Sequence, residues 1–228
     1  MFVIKSAPLR RAVRAFVPFA LIPALVALGA LVLRQKNYAL ISLLIALLSF
    51  VLFAAGFEKK KTGSRRLVLV AVMVALSVAG RFIPVFKPVT ALTILTGVYL
   101  GGEAGFLTGS LTAVLSNFYF GQGPWTSFQM MALGLIGLFA GFLSGPLKRS
   151  RIILVLYGAL AGVAYSFIMD IWTVVWYGNG FDTALYLTSL VSAVPYTVSY
   201  VISNTVFLFI FAKPFGEKFI RVKLKYGV

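Results

Sequence analysis

Asp170 and Arg81 are the charged side chains best placed to do chemistry, because both lie within or at the end of a long apolar run. Asp170 comes about 18 residues into its predicted helix, or roughly 27 Å along it at 1.5 Å per residue. An ionisable group at that depth is costly unless it is paired or hydrated, and Arg81 lies near the outer end of its own helix. We therefore expect the two to form a structural ion pair or to share a ligand site.

Amide side chains and aromatic rings gather at the same predicted outer ends. Asn117 and Gln129 flank the turn at 121–124 and Gln122 lies within it, and polar groups among aromatic side chains are typical of a small-molecule pocket. An aromatic belt at the lipid–water interface would also explain the Trp and Tyr residues, but it does not explain the amides. The candidate substrate-binding residues are Arg81, Asn117, Tyr119, Gln122, Trp125, Gln129, Asp170, Trp172 and Trp176.

Several other chemistries lack the residues that they need. The chain has 228 residues without Cys or His, the usual ligands of zinc, haem and iron–sulfur centres, so we expect no metal site and no cofactor. Its five acidic residues leave little material for paired-carboxylate catalysis. It also has no Gly-rich loop ending in Gly-Lys-Ser/Thr to bind a nucleoside triphosphate. We expect a protein that is not an enzyme and that draws any energy of ATP from another chain.

The elements that must position these residues are transmembrane helices. Hydrophobic residues make up 61% of the chain, and the apolar runs repeatedly approach the roughly 20 residues needed to cross a bilayer as helix. We expect an all-α integral membrane protein, with a two-helix N-terminal hairpin and basic linker at 1–64 and a six-helix core at 65–228. The eight predicted spans are approximately 15–33, 38–57, 67–83, 88–101, 104–118, 127–145, 152–177 and 184–212.

The net charge of +16 reflects the orientation of these helices. With a cytoplasmic N-terminus, 17 basic residues fall in the inner segments and four in the outer ones, the bias expected when both termini are cytoplasmic. We therefore expect the protein to have the lipid bilayer as a partner and to bind no nucleic acid, in spite of its positive charge. Attraction of the C-terminal tail to anionic lipid or to an acidic protein is an alternative.

Small residues recur every four positions on several predicted helices. Ala71, Ala75 and Ala79 share one face, where another helix could approach closely. Packing inside the bundle and docking of a separate membrane subunit both explain this alanine ladder.

We expect Glu103 to be a solvated charge at the cytoplasmic surface. We expect internal packing for the glycine ladders, which are Gly101, Gly105 and Gly109, then Gly137, Gly141 and Gly145, then Gly158 and Gly162.

Taken in this order, the features of about 65–212 resemble the substrate-binding S component of energy-coupling factor (ECF) vitamin transporters. They are the basic start, the alanine ladder, the turn at 101–105 and the glycine ladder that begins at Gly137. The resemblance implies a subunit of an ATP-driven importer that captures a vitamin at the extracellular side. It also implies docking through Ala71, Ala75 and Ala79 on a transmembrane coupling subunit driven by two ATPase subunits, in the plasma membrane of a prokaryote.

The run 120–129 further resembles the cobalamin branch of that family. A wide, aromatic, amide-bearing cup would suit a corrin, and without histidine its recognition would rest on shape, stacking and hydrogen bonds. Another vitamin or precursor is an alternative. So is a self-sufficient secondary transporter or channel, which would spread polar residues through the membrane midplane. A membrane-embedded enzyme would need convergent acids, bases or metal ligands. The role of the N-terminal hairpin is open.

Overall fold

The chain folds into nine helices in the part that the computed structural model describes, which is residues 4, 6–32, 37–56, 60–84, 86–178 and 180–226. No strand occurs in these ranges. The helices are α1 (Ala7–Val32), α2 (Tyr38–Ala55), α3 (Lys60–Gly80), α4 (Val89–Leu100), α5 (Gly102–Phe120), α6 (Trp125–Phe142), α7 (Ser144–Arg149), α8 (Arg151–Tyr177) and α9 (Thr183–Tyr226). Two π-helical turns, Val17–Leu21 and Leu28–Val32, interrupt α1.

Five of the described helices are long and apolar enough to cross a membrane. They are α1, α2, α6, α8 and the stretch Val194–Lys225 of α9. The protein is therefore a multi-pass, all-α membrane protein, as predicted. Helices α3 and α5, with 21 and 19 residues, are of similar length but less apolar. The predicted number of eight spans stays a prediction.

Helix α4 lies at the centre of the bundle. It contacts α3, α5, α6, α7, α8 and α9, and ten of its 12 residues are buried. At about 1.5 Å per residue it is too short to cross a hydrocarbon core of about 30 Å on its own. The surrounding helices remove this difficulty, because a short helix enclosed by protein need not expose its polar ends to lipid.

Glycines bring α4, α5 and α6 into backbone contact. A Cβ atom added to Gly105 would lie 2.5 Å from the carbonyl oxygen of Gly137 and 2.7 Å from the Cα atom of Gly97. Real Cβ atoms do not come so close, so these positions require glycine. Internal packing is confirmed for these glycine ladders, except at Gly145, where nothing lies within 4 Å of the added atom. The reversal from α4 into α5 uses Gly101, whose φ of 100° favours glycine.

The N-terminal hairpin packs on the core. Helix α2 contacts α5 and α6, and α1 contacts α2 and α6. Arg14 of α1 forms an ion pair with Glu103 in the first turn of α5. The expectation that Glu103 is a solvated loop charge is wrong, because its side chain is buried and paired with the hairpin. The predicted domain boundary between 64 and 65 stays a prediction.

Several helix ends differ from the predicted spans by three or more residues. The sixth predicted span ends earlier, at Phe142, and is followed by the short helix α7. The last one continues to Tyr226, so the basic tail is helical. Tertiary contacts explain this extension, since Lys223 donates a hydrogen bond of 3.0 Å to the carbonyl oxygen of Tyr99 and the ring of Phe219 stacks on that of Tyr99.

Candidate functional site

Arg81 joins the loop after α3 to the far end of α5. Its Nη1 atom donates hydrogen bonds to the hydroxyl of Ser116 and to Oδ1 of Asn117, the latter at 2.6 Å. Its guanidinium carbon lies 4.8 Å from the centre of the Phe120 ring, within cation–π distance. These contacts fix the position of a side chain that is permanently charged.

Asn117 links the ends of α5 and α6. Its side chain is fully buried, and Nδ2 donates to Oγ1 of Thr126 at 2.9 Å and to Oε1 of Gln129 at 2.7 Å. Gln122, in the turn between the two helices, accepts a hydrogen bond from Thr126 and donates one of 2.7 Å to the carbonyl oxygen of Val114. The predicted amides Asn117, Gln122 and Gln129 therefore belong to one hydrogen-bonded network with Arg81.

A polar cavity lies beside this network and is here called the first lobe. It has an empty volume of about 510 Å³, counting the space open to solvent. Its polar lining includes Arg81, Lys87, Thr90, Thr112, Ser116 and Gln129.

A second cavity, here called the second lobe, lies next to the first. Its empty volume is about 460 Å³, and its polar lining includes Ser166 and Asp170 of α8. Gln129, Tyr165 and Tyr200 line both lobes, so the two lobes meet at these side chains. Asp170 is only 7% exposed, and its Oδ2 atom has no hydrogen-bond partner in the part of the chain that the structure describes.

The predicted ion pair between Arg81 and Asp170 is wrong. Arg81 bonds to Ser116 and Asn117, whereas Asp170 lines the second lobe without a basic partner within 4.0 Å among the described residues. The two charges lie on neighbouring lobes. The alternative, that they share one ligand site, stays a prediction.

The other predicted site residues lie outside the lining of both lobes. Trp125 packs edge-on against Trp172 at 5.6 Å between ring centres, and Trp172 stacks on Trp176 at 6.0 Å. Tyr119 is 73% exposed and packs against Phe82. A role of these four aromatic residues in ligand binding stays a prediction.

Several residues that line the lobes were not predicted. A pattern could have revealed them, because polar or tyrosine side chains four residues apart share one face of a helix. The unpredicted pairs are Thr112 and Ser116 on α5 and Tyr196 and Tyr200 on α9, and the unpredicted Ser166 on α8 pairs with Asp170, which was predicted.

The alanine ladder lies on a different surface. Ala71, Ala75 and Ala79 are all exposed, and they line an apolar groove. Phe50 of α2 and Leu111 of α5 also line this groove. The ladder is therefore not buried by packing inside the bundle.

Comparison with known protein families decides the assignment. The family model of the ECF-type riboflavin transporter S component matches residues 61–218. The chain belongs to this family. No curated protein and no solved structure matches the chain.

The prediction that the chain is an S component of an ECF transporter is thereby confirmed at the level of the family. An S component is a transport subunit rather than an enzyme. The cobalamin branch is not confirmed, because the matching family is described as a riboflavin transporter. The match covers α3 to α8 and most of α9, and α1 and α2 lie outside it.

Proposed function

We propose that this S component captures riboflavin in the two lobes at the extracellular side of the membrane. The single observation that carries the proposal is the pair of lobes that meet at Gln129, Tyr165 and Tyr200, each with polar side chains in its lining. The matching family is described as a riboflavin transporter S component. A flavin combines a flat ring system, which suits tyrosine side chains, with a polyhydroxylated tail, which suits polar ones.

The size of the lobes favours riboflavin over cobalamin. The volumes of about 510 and 460 Å³ include space open to solvent, so each lobe has less room than that for a ligand. A corrin with its nucleotide tail is several times larger than a flavin and would require the lobes to widen considerably. Cobalamin, suggested by the run 120–129, is therefore the second candidate.

The proposed function also includes partners. The sequence has no nucleotide-binding motif, so an ATP-driven importer of this family needs ATPase subunits from other chains. We assign the exposed groove along Ala71, Ala75 and Ala79 to a transmembrane coupling subunit. Small residues suit this role, because helices in lipid associate by close backbone approach. Two ATPase subunits would complete the complex in the plasma membrane of a prokaryote.

Ligand retention by the purified chain tests the substrate. The detergent-solubilised protein is incubated with riboflavin or with cobalamin, free ligand is removed, and the visible absorption that travels with the protein is recorded. We expect retention of riboflavin near one molecule per chain and no retention of cobalamin. Size-exclusion chromatography and circular dichroism on the same sample control for folding.

The two ligands give outcomes that separate the hypotheses. Retention of cobalamin without riboflavin would overturn the proposed substrate and support the cobalamin branch. A folded protein that retains neither would exclude both ligands while leaving the family unchanged, and a panel of other vitamins would then follow.

A further inference from the structure

The second lobe contains a polar group without a partner. Oδ2 of Asp170 is inaccessible to solvent, and no hydrogen bond to it exists among the described residues. Burying a carboxylate oxygen in this state is unfavourable, because the oxygen loses its hydrogen bonds to water and forms none with the protein. A rotation of the carboxyl group that turns Oδ2 toward a hydrogen-bond donor of a bound ligand would remove that cost.

The surroundings of Asp170 define which ligand group fits. Polar and aromatic side chains line the second lobe, and neither Lys nor Arg is among its lining residues in the described structure. Ser166 lies one helical turn before Asp170, and its hydroxyl is within 2.6 Å of the hydroxyl of Thr197. The lobe therefore offers hydroxyl groups and a hydrogen-bond acceptor but no positive charge.

We propose that the second lobe is a polyol subsite, in which Asp170 accepts hydrogen bonds from the ribityl hydroxyls of riboflavin. The ring system then points its carbonyl edge toward Arg81 and Lys87 in the first lobe. This inference rests on the proposed function and adds to it the orientation of the ligand and the residue that selects for the tail.

Donor and acceptor chemistry sets this orientation. The pyrimidine edge of a flavin carries mainly acceptors, which match the N–H donors of Arg81 and Lys87. An ionised carboxylate can only accept hydrogen bonds, so Asp170 favours hydroxyl donors over ring carbonyls. The reverse orientation would offer Asp170 a single donor, the ring N3–H, flanked by two acceptors.

The same chemistry predicts selectivity against phosphorylated flavin. The phosphate of flavin mononucleotide sits at the end of the ribityl chain and would enter a lobe that has a carboxyl group and no lining cation. Burying an anion without a counter-charge is unfavourable, and a second anion nearby makes it more so. Asp170 is therefore expected to lower the affinity for the mononucleotide.

Three flavins that share one ring system test the subsite. They are riboflavin, lumiflavin, which has a methyl group in place of the ribityl chain, and flavin mononucleotide. Their dissociation constants are measured by flavin fluorescence on the parent chain and on the variants Asp170→Ala and Asp170→Asn. Asp182→Asn is the matched control, because Asp182 is an exposed acid that caps α9 through the backbone N–H of Leu185, and Asn can replace it as a cap.

We expect the parent chain to bind riboflavin at least about tenfold more tightly than lumiflavin, because a hydrogen bond to a charged group contributes on that scale. Asp170→Ala should remove most of that preference by weakening riboflavin binding alone. Asp170→Asn should bind flavin mononucleotide more tightly than the parent does, and Asp182→Asn should match the parent.

Two results would overturn the subsite, and each has its own signature. An unchanged ratio of riboflavin to lumiflavin affinity in Asp170→Ala, whether both affinities fall together or neither changes, would overturn the subsite and leave riboflavin as the substrate. Failure of the folded parent chain to bind any flavin would overturn the proposed function and the subsite together.

Discussion

Arg81 contributes to the wall of the first lobe and to its charge. Its two hydrogen bonds hold Ser116 and Asn117 at the end of α5, and Asn117 in turn holds Gln129. A guanidinium has five N–H donors in a fixed plane, so one side chain can brace a helix and still face a ligand. Loss of this residue should therefore affect both the shape and the charge of the site.

Substitution of Arg81 tests this double role. We expect Arg81→Gln to weaken riboflavin binding about tenfold or more, since it removes a charged donor and leaves Asn117 without one partner. Arg81→Lys keeps the positive charge but lacks the planar guanidinium with its fixed N–H donors, so it should retain only part of the affinity. Fluorescence titration gives the affinities, and Arg149→Gln, an exposed residue on α7, is the control. A folded Arg81→Gln protein with the parent's affinity would contradict the role.

The sequence predicted part of this chemistry. Asn117 and Gln129 could be inferred because amides beside a short turn between two apolar runs must lie near each other. The relation of Arg81 to Asp170 could not, because position along a helix gives depth in the membrane but not the direction that a side chain faces. Tyr165 and Tyr200 were missed because tyrosine in an apolar run is also typical of packing and of interfacial belts.

At the scale of elements, the apolar runs predicted where the helices lie along the chain, but they did not predict which helices pack against each other. Helix α4 is central because its partners enclose it, and nothing in its own composition distinguishes it from a span that faces lipid. The burial of Glu103 depends on α1, which lies far away in sequence. The helical tail depends on contacts with Tyr99 that only the folded bundle provides.

Two glycines with different surroundings test the packing of these elements. Gly105→Ala should destabilise the protein by about 1 to 3 kcal/mol or more, because the added methyl group meets the backbone of α6 and cannot be accommodated without moving a helix. Gly145→Ala makes the same chemical change on α7, where nothing lies within 4 Å. It should be neutral or stabilise by about 0.4 to 1 kcal/mol.

Thermal unfolding of both variants in the same detergent compares the two sites directly. The expected order of melting temperature is Gly145→Ala at or above the parent and Gly105→Ala below both. Equal melting temperatures for the two variants would contradict the close backbone packing of α5 on α6.

At the scale of the whole molecule, the proposed ligand site and the groove meet at α5. On α5, Leu111 and Leu115 line the groove, while Thr112 and Ser116, one position further along the chain, line the first lobe. Arg81 follows the alanine ladder of α3 by two residues. A partner seated in the groove would therefore contact α5 at residues next to those that line the lobe, while the lining residues of the two cavities stay different.

This separation of surfaces predicts that transport and binding can be uncoupled by one residue. Ala75→Trp places a large ring in the groove, where it should prevent close approach of a helix from the coupling subunit. We expect riboflavin uptake by the reconstituted transporter, assembled with its coupling and ATPase subunits, to fall about tenfold or more. Riboflavin binding by the isolated chain should stay within about twofold of the parent, since Ala75 is exposed and lines neither lobe.

Leu76→Trp provides the matched control, because Leu76 is exposed on the same helix but does not line the groove. It should leave both uptake and binding close to those of the parent. Full uptake by Ala75→Trp would remove the groove as the docking surface. Equal losses in both variants would indicate a general effect of bulky residues on α3, whereas loss in Ala75→Trp alone would localise docking to the alanine face.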